Sequence, residues 1–420
     1  MISNSPTPRG RWALQSLNFF MADMQAGVGP FLGVYLLAHG WQSAGIGLVM
    51  TIGGVAGVVM TAPAGAWVDS SHNKRWLVAI PGLCTVFASA VILLSQSFWP
   101  VALSQVATAI AGAAIGPAVA GITLGMFKQA GFNRQNGINQ AYNHAGNAVG
   151  AGLSGLLGWK FGLPAVFWLA VAFAVVSIIS VLSIPRDSID DRAARGLRDS
   201  QEPDSRADEA SPSGISVLLH CRPLLVLAAC LALFHLGNAA MLPLYGLAVV
   251  AAKQGNPSAF VAATIVVAQA TMVATSLIAM RMSEQRGLWL VLLISFVSLP
   301  LRGLIAAHFI KSWGVFPVQM LDGVGAGLQS VAVPGLVARI LNGTGRVNVG
   351  QGALMTVQGM GAALSPAIGG WLAQYYGYAA AFETLGAFAL VSVLLWVLFA
   401  DSVRKASVSS LEPASAGAFS

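Results

Sequence analysis

Twelve apolar stretches, each near the roughly 20 residues that a helix needs to cross a bilayer, constrain this chain more than any other feature. They run over 13–37, 44–67, 76–97, 100–127, 137–159, 163–184, 223–249, 258–281, 288–309, 314–340, 350–374 and 378–400. A backbone inside hydrocarbon must satisfy its own polar groups, and segments of this length do so as helices. The predicted fold class is an all-α membrane protein with twelve transmembrane helices. Charged residues are 9% of the chain, against about a quarter in a soluble one, which excludes an ordinary soluble domain. The first stretch is too long for a signal-peptide core and is expected to remain as a membrane anchor.

Basic residues set the expected orientation. Of 22 lysines and arginines, Lys160, Lys253 and Lys311 fall in loops on one side and Arg302 lies inside a stretch; the other 18 fall on the opposite side. Short loops rich in these residues stay cytoplasmic, so both termini are expected inside, in the plasma (inner) membrane. That topology accounts for the net charge of +7 without a nucleic-acid partner. Cys84, Cys221 and Cys230 show no metal-ligand spacing, so no disulfide, metal or cofactor is expected.

The character changes over 185–222, which is polar, charged and almost free of large apolar residues, and so is expected to be a flexible cytoplasmic linker. It divides an N-terminal six-helix half, 1–184, from a C-terminal half, 223–400, with a tail over 401–420. The halves also match each other at a nearly constant shift. Pro30 meets Pro243 and Gln25 meets Asn238 at 213; Gln105 meets Gln319 and Gly121 meets Gly335 at 214; Gly146 meets Gly361, Gly162 meets Gly377 and Phe167 meets Phe382 at 215. This implies duplicated six-helix bundles, pseudo-symmetric about an axis along the membrane normal, with a binding site between them.

Polar residues inside the stretches are the candidates for function, because each is expensive in lipid unless it faces water or a partner. Asp23 and Gln25 sit about ten residues into the first stretch, or about 15 Å at a rise of about 1.5 Å per residue. His235 and Asn238 occupy positions close to these in the seventh. Arg302 and Asp322 lie ten residues on either side of position 312 in an antiparallel hairpin, which puts them at one depth and makes an ion pair the expected way to keep both charged. Asp322 also falls at the repeat position of Thr108, a carboxylate in one half against a hydroxyl in the other. Along the fifth stretch Asn136, Asn139, Gln140, Asn143, His144 and Asn147 recur at spacings of three and four, which places them on one helical face. That face should meet a hydrated cavity or a partner helix.

The turn TAPAGAWVDSSHNKRWL, residues 61–77, carries Gly65, Asp69, Lys74 and Arg75 at a spacing that resembles the loop between helices 2 and 3 of the major facilitator superfamily, G-x-L-a-D-r-x-G-r-k. Ser70 stands where the family has arginine and His72 where it has a second glycine. GNAVGAGLSG, from Gly146, and GAALSPAIGG, from Gly361, are similar to the antiporter signature g-x-x-x-G-P-x-x-G-G, with Ala151 in the proline position of the first and Pro366 retained in the second. Thr108 stands where facilitator antiporters often carry an arginine, which counts against copying their proton relay onto this chain. The resemblance implies a twelve-helix secondary transporter working by alternating access. It further implies that Asp69, flanked by Lys74 and Arg75, gates the cytoplasmic side, with Gly65 allowing close helix approach.

No nucleotide-binding loop, metal-ligand cluster or nucleophile motif is present, so neither an enzyme nor an ATP-driven pump is expected. The leading reading is a monomeric, proton-coupled exporter of a small organic molecule, a drug or metabolite. Asp23, Asp322, Arg302 and His235 are its proton-coupling candidates. Gln25, Gln105, Thr108, Asn139, Gln140, Asn143, His144, Asn147, Asn238, Gln319 and Gln358 are the candidates for lining a substrate cavity. Two alternatives stay open: an importer or uniporter of a polar metabolite, and a membrane receptor that transports nothing.

Overall fold

The computed structural model describes residues 7–26, 28–190, 194, 220–253, 256–341 and 347–408. Most of the expected linker and the tail beyond 408 lie outside the described residues. Regular structure among them is entirely helical. Helices α1 (Pro8–Ala26) and α2 (Val28–Ala38) form the first passage; α3 (Ser43–Ser70), α4 (Trp76–Leu94) and α5 (Phe98–Gly112) follow. The long α6 (Ile115–Phe161) and then α7 (Pro164–Leu182) complete the first half. The second half holds α8 (Arg222–Asn238), α9 (Met241–Ala251), α10 (Pro257–Arg286), α11 (Leu288–His308), α12 (Val315–Ile340), α13 (Val347–Tyr376), α14 (Tyr378–Leu398) and α15 (Ala400–Val408).

Among the described residues these helices group into twelve successive stretches, consistent with twelve passages. The fourth is α5 continued by the start of α6 after a break at Ala113–Ala114, and the fifth begins beyond Lys128, whose φ of 54° and ψ of −179° interrupt α6. Among the described residues, nine helical stretches are long and apolar enough to cross a membrane by themselves. The first, fifth and eleventh passages are not among those nine, and the amides of the fifth supply a physical reason. Large apolar side chains face outward, Leu94 at 86% and Leu398 at 75% exposure, as suits a lipid-facing surface. Several turns rest on glycine for a stereochemical reason: Gly162 and Gly377, which are repeat partners, end α6 and α13 with φ of +85° and +87°, a region that side-chain-bearing residues rarely adopt.

The chain divides into two compact units, Met1–Pro203 with Gly246–Val266, and Asp204–Tyr245 with Val267–Ser420. The first therefore takes in the end of the seventh passage and the start of the eighth; there Gly155 and Gly158 of α6 lie against Ala262 and Ser258 of α10. Its buried core joins Leu14 and Leu17 of α1, Val68 of α3, Leu77 and Val78 of α4, Ile115 and Ile122 of α6 and Val181 of α7.

The duplication is visible in backbone contacts. Gly146 of α6 lies against the Phe19 carbonyl of α1, and Gly361 of α13 lies against the Ala232 carbonyl of α8, so a Cβ at either glycine would collide with backbone. Both members of the second contact are the repeat partners of the first, at shifts of 215 and 213. Small residues let two helix backbones approach this closely, which is how helices associate in lipid.

Two features of the packing add to the sequence reading. Gly65 has no described atom within 4 Å of where a Cβ would stand. Close approach within the first unit is seen at Gly53 and Gly57, one turn apart on α3, which lie against Gln105 and Ala109 of α5. At the start of the expected linker Arg186–Ser188 forms a 3₁₀ turn, Ile189 packs on the apolar core of the first unit, and Ala194 is buried. Ile189 and Ala194 provide apolar anchors within an otherwise polar run.

Candidate functional site

In the second unit the polar residues converge on one guanidinium. Arg302, on α11, is fully buried. Its Nη1 donates to Asp322 Oδ1 at 2.7 Å and to Asn238 Oδ1 at 2.6 Å, while Nη2 donates to Gln319 Oε1 at 3.3 Å. Gln319 and Asp322 are three residues apart on α12 and so share a face; Asn238 is the last residue of α8. Asp322 keeps 16% exposure. A buried charge is tolerated only when paired and hydrogen-bonded, and three oxygens from two neighbouring helices meet that condition. Arg302 Nε and Gln319 Nε2 donate to no described protein atom.

His235, one turn before Asn238, is half-buried, beside Gln329 and within the field of Asp322. Gln329 Nε2 donates to Ser295 Oγ at 3.0 Å, and Ser295 Oγ donates to the Gly325 carbonyl at 2.9 Å. Sequence reasoning missed this chain. Gln329 lies ten residues beyond Gln319 on the same helix, and only its buried neighbours distinguish it from a surface glutamine.

Along α6 the first unit holds a run of neutral amides. Gln135 Nε2 donates to Asn139 Oδ1 at 2.9 Å, and Asn139 Nδ2 donates to Thr123 Oγ1 at 3.0 Å. Further along α6, Asn147 Nδ2 donates to Asn143 Oδ1 at 3.3 Å, and Asn143 Nδ2 donates across to the Asn18 carbonyl of α1 at 3.4 Å. The ladder thus runs 135, 139, 143, 147, with a strict spacing of four. Gln135 was not among the sequence candidates, although it continues that spacing backward by one step. Asn139 is buried and Asn143 half-buried against a partner helix, which removes the cost of amides in lipid. Asn147 Oδ1 is buried without a described partner. His144 is half-buried on the adjoining face.

Other candidates are placed less centrally. Thr108 donates its hydroxyl to the Ser104 and Gln105 carbonyls of its own helix, at 2.9 and 3.1 Å. Gln105 is half-buried where α5 meets Gly53, and Gln358 of α13 is half-buried. The side chains of Asp23, Gln25, Asp69 and Gln140 lie outside the described residues, although their backbones fall within α1, α3 and α6.

The turn after α3 is built as a pair of helix caps. Lys74 is 2% exposed, and its Nζ donates to the Val68 and Ser71 carbonyls at 3.0 Å each, while its stem lies along Gly121 of α6. Arg75 Nη1 donates to the Leu182 and Ile184 carbonyls at 3.2 and 2.7 Å, capping α7. Cations suit helix C-termini, where unsatisfied carbonyls concentrate partial negative charge. Partial burial, and then the nearby Arg186 charge, hold the Arg75 pKa below its usual value.

A helical membrane chain with duplicated halves and this turn matches a known family. The model of the Major Facilitator Superfamily covers residues 13–318 and 227–420. The chain belongs to that superfamily. Two uncharacterised MFS-type transporters of Mycobacterium tuberculosis, from strains CDC 1551 and H37Rv, are each 38% identical over 393 residues, covering 93% of this chain and 93% of theirs. Among solved structures, the nucleoside transporter NupG is similar with a TM-score of 0.71 at 16% identity, over 94% of this chain and 99% of that one. A bacterial homologue of the human lysosomal transporter Spinster gives 0.70 at 15%, over 97% and 100%. As a superfamily member the protein is a multi-pass secondary transporter of a small molecule.

Proposed function

We propose that this superfamily member is a proton-coupled exporter of a small organic molecule, a drug or metabolite, acting as a monomer in the plasma membrane with both termini cytoplasmic. In this reading 1–184 and 223–400 are the two bundles, 185–222 joins them, and one bundle rocks against the other around the cargo. The observation that carries it is the unequal ion pair of the second unit. Arg302 is sealed from solvent, whereas its partner Asp322, 2.7 Å away, retains 16% exposure. A partly exposed acid held by a fully buried cation supports proton-linked switching, because protonation removes the pair's attraction and biases the helices that share it. Asp23 is the second coupling acid and His235 an intermediate partner. The side chains of the α6 ladder line the cargo's path, and Asp69 gates the cytoplasmic side.

The test is flux by purified protein in liposomes, with and without an imposed pH gradient. Export driven by inward proton flow is expected, and Asp23→Asn should abolish the pH dependence while leaving the protein folded. Unchanged pH dependence would remove Asp23 from the mechanism. A second reading, an importer or uniporter of a polar metabolite, is favoured by the uncharged ladder of α6 and by Thr108 in place of the antiporter arginine. Uptake along the gradient, or flux indifferent to it, would select that reading.

A further inference from the structure

We infer that Asn238 and Gln319 form a proton-independent cage for Arg302, so that the guanidinium stays fixed and Asp322 is the member of the pair that moves. This rests on the reading of Asp322 as a coupling acid and assigns its neighbours a different task from lining a cargo cavity.

The geometry is more than an ion pair needs. A single carboxylate would neutralise Arg302, and apolar side chains at 238 and 319 would avoid the cost of burying two amides. Instead Asn238 Oδ1 and Asp322 Oδ1 share one nitrogen, Nη1, at 2.6 and 2.7 Å, and Gln319 takes Nη2. Losing Asp322 from Nη1 therefore leaves Nη1 hydrogen-bonded. Amide oxygens do not titrate in the physiological range, so both neutral acceptors persist whatever the state of the acid. Gln319 is itself fully buried, and its oxygen faces the guanidinium while its Nε2 is left without a described partner. That orientation is the one in which the amide serves Arg302.

Among the described residues the surrounding elements add no competing charge. Helix α8 offers His235, beside Gln329. Helix α10 meets α12 at Gly323 and Gly327 through Ala268, Thr271 and Thr275, which are uncharged. Helix α14 meets α11 at Gly303 through the Phe382 backbone, and the neighbouring Glu383 is exposed. Asp322 is thus the acid that faces Arg302 among the described residues. A cation anchored from α8 and α12 keeps those helices joined to α11 throughout a proton cycle, and leaves the partly exposed carboxylate free to leave and return.

A thermal-unfolding cycle on the purified full chain in detergent tests this, with Asp322→Asn standing for the neutral acid. Asn238→Leu and Asp322→Asn should each lower the midpoint, the second by more, and together by clearly more than the sum of the two, because only then does Arg302 lack both its counter-charge and its substitute. The exchanged variant Asn238→Asp with Asp322→Asn, which puts a carboxylate on the same Nη1 from the other helix, should recover most of the loss. A residue that merely fills space would give no such recovery. Additive losses, or an exchanged variant no more stable than Asp322→Asn alone, would overturn the cage. Should the Leu–Asn double variant fail to fold, the exchanged variant decides by itself. The readout is stability, so the cage can fail while proton-driven flux stands, and the reverse.

Discussion

The two halves of this protein share a backbone solution and differ in what they bury. In each, a glycine of the penultimate passage sits on a carbonyl of the first: Gly146 on Phe19, Gly361 on Ala232. Around that common crossing the N-terminal half places neutral amides that hydrogen-bond in a ladder along α6, and the C-terminal half places an ion pair inside a ring of amides. The clearest contrast is Thr108 against Asp322. The hydroxyl turns back onto its own helix, whereas the carboxylate reaches across to α11. Duplicated helices keep contacts that glycine makes possible, because any larger residue would push the backbones apart. They diverge in polar side chains, whose partners can change one at a time.

The largest expected effect tests that divergence directly. Asp322→Ala leaves a buried cation without its counter-charge and should cost about 3–5 kcal/mol of stability, whereas Thr108→Ala, losing a bond within its own helix, should cost at most about 1 kcal/mol. Adding Arg302→Met to Asp322→Ala should restore much of the loss; equal losses at 108 and 322 would erase the contrast. Next, Gly146→Leu and Gly361→Leu should each destabilise by about 1–3 kcal/mol, and by similar amounts, since both force apart the same crossing. A large inequality between them would break the claim of shared backbone packing. Asn139→Ala should follow, at about 1–2 kcal/mol, by leaving the Gln135 amide without its acceptor and Thr123 Oγ1 without the Asn139 donor. Smallest is Arg75→Gln, which weakens the cap on α7 and should cost about 0.3–1 kcal/mol, falling at high salt. Thermal or denaturant unfolding in one detergent serves all four.

Much of the site can be read before any fold is known, and for definite reasons. Counting to the turn at 312 puts Arg302 and Asp322 level, and the observed 2.7 Å pair needs little beyond that equality of depth. Spacing places Asn139, Asn143 and Asn147 on one face. The same spacing is silent on what that face meets, so neither Thr123 nor the Asn18 carbonyl could be named. Lys74 illustrates the limit from the other direction. Its motif reads as a gate, and spacing could not say that its ammonium also donates to the carbonyls that end α3.

What the amino-acid order determined by itself is the class of solvent, the helical state, the twelve passages and the family, because hydrocarbon leaves a backbone no choice but to bond internally and runs of about 20 apolar residues announce it. Only the tertiary structure decided which helices touch. It brought Gly53 and Gly57 of α3 against α5, set Asn238 on Arg302 from 64 residues away, and folded the beginning of the expected linker onto the first unit. Period and depth specify a face and a level, and partner choice depends on the shapes of two surfaces together, which no single stretch of sequence contains.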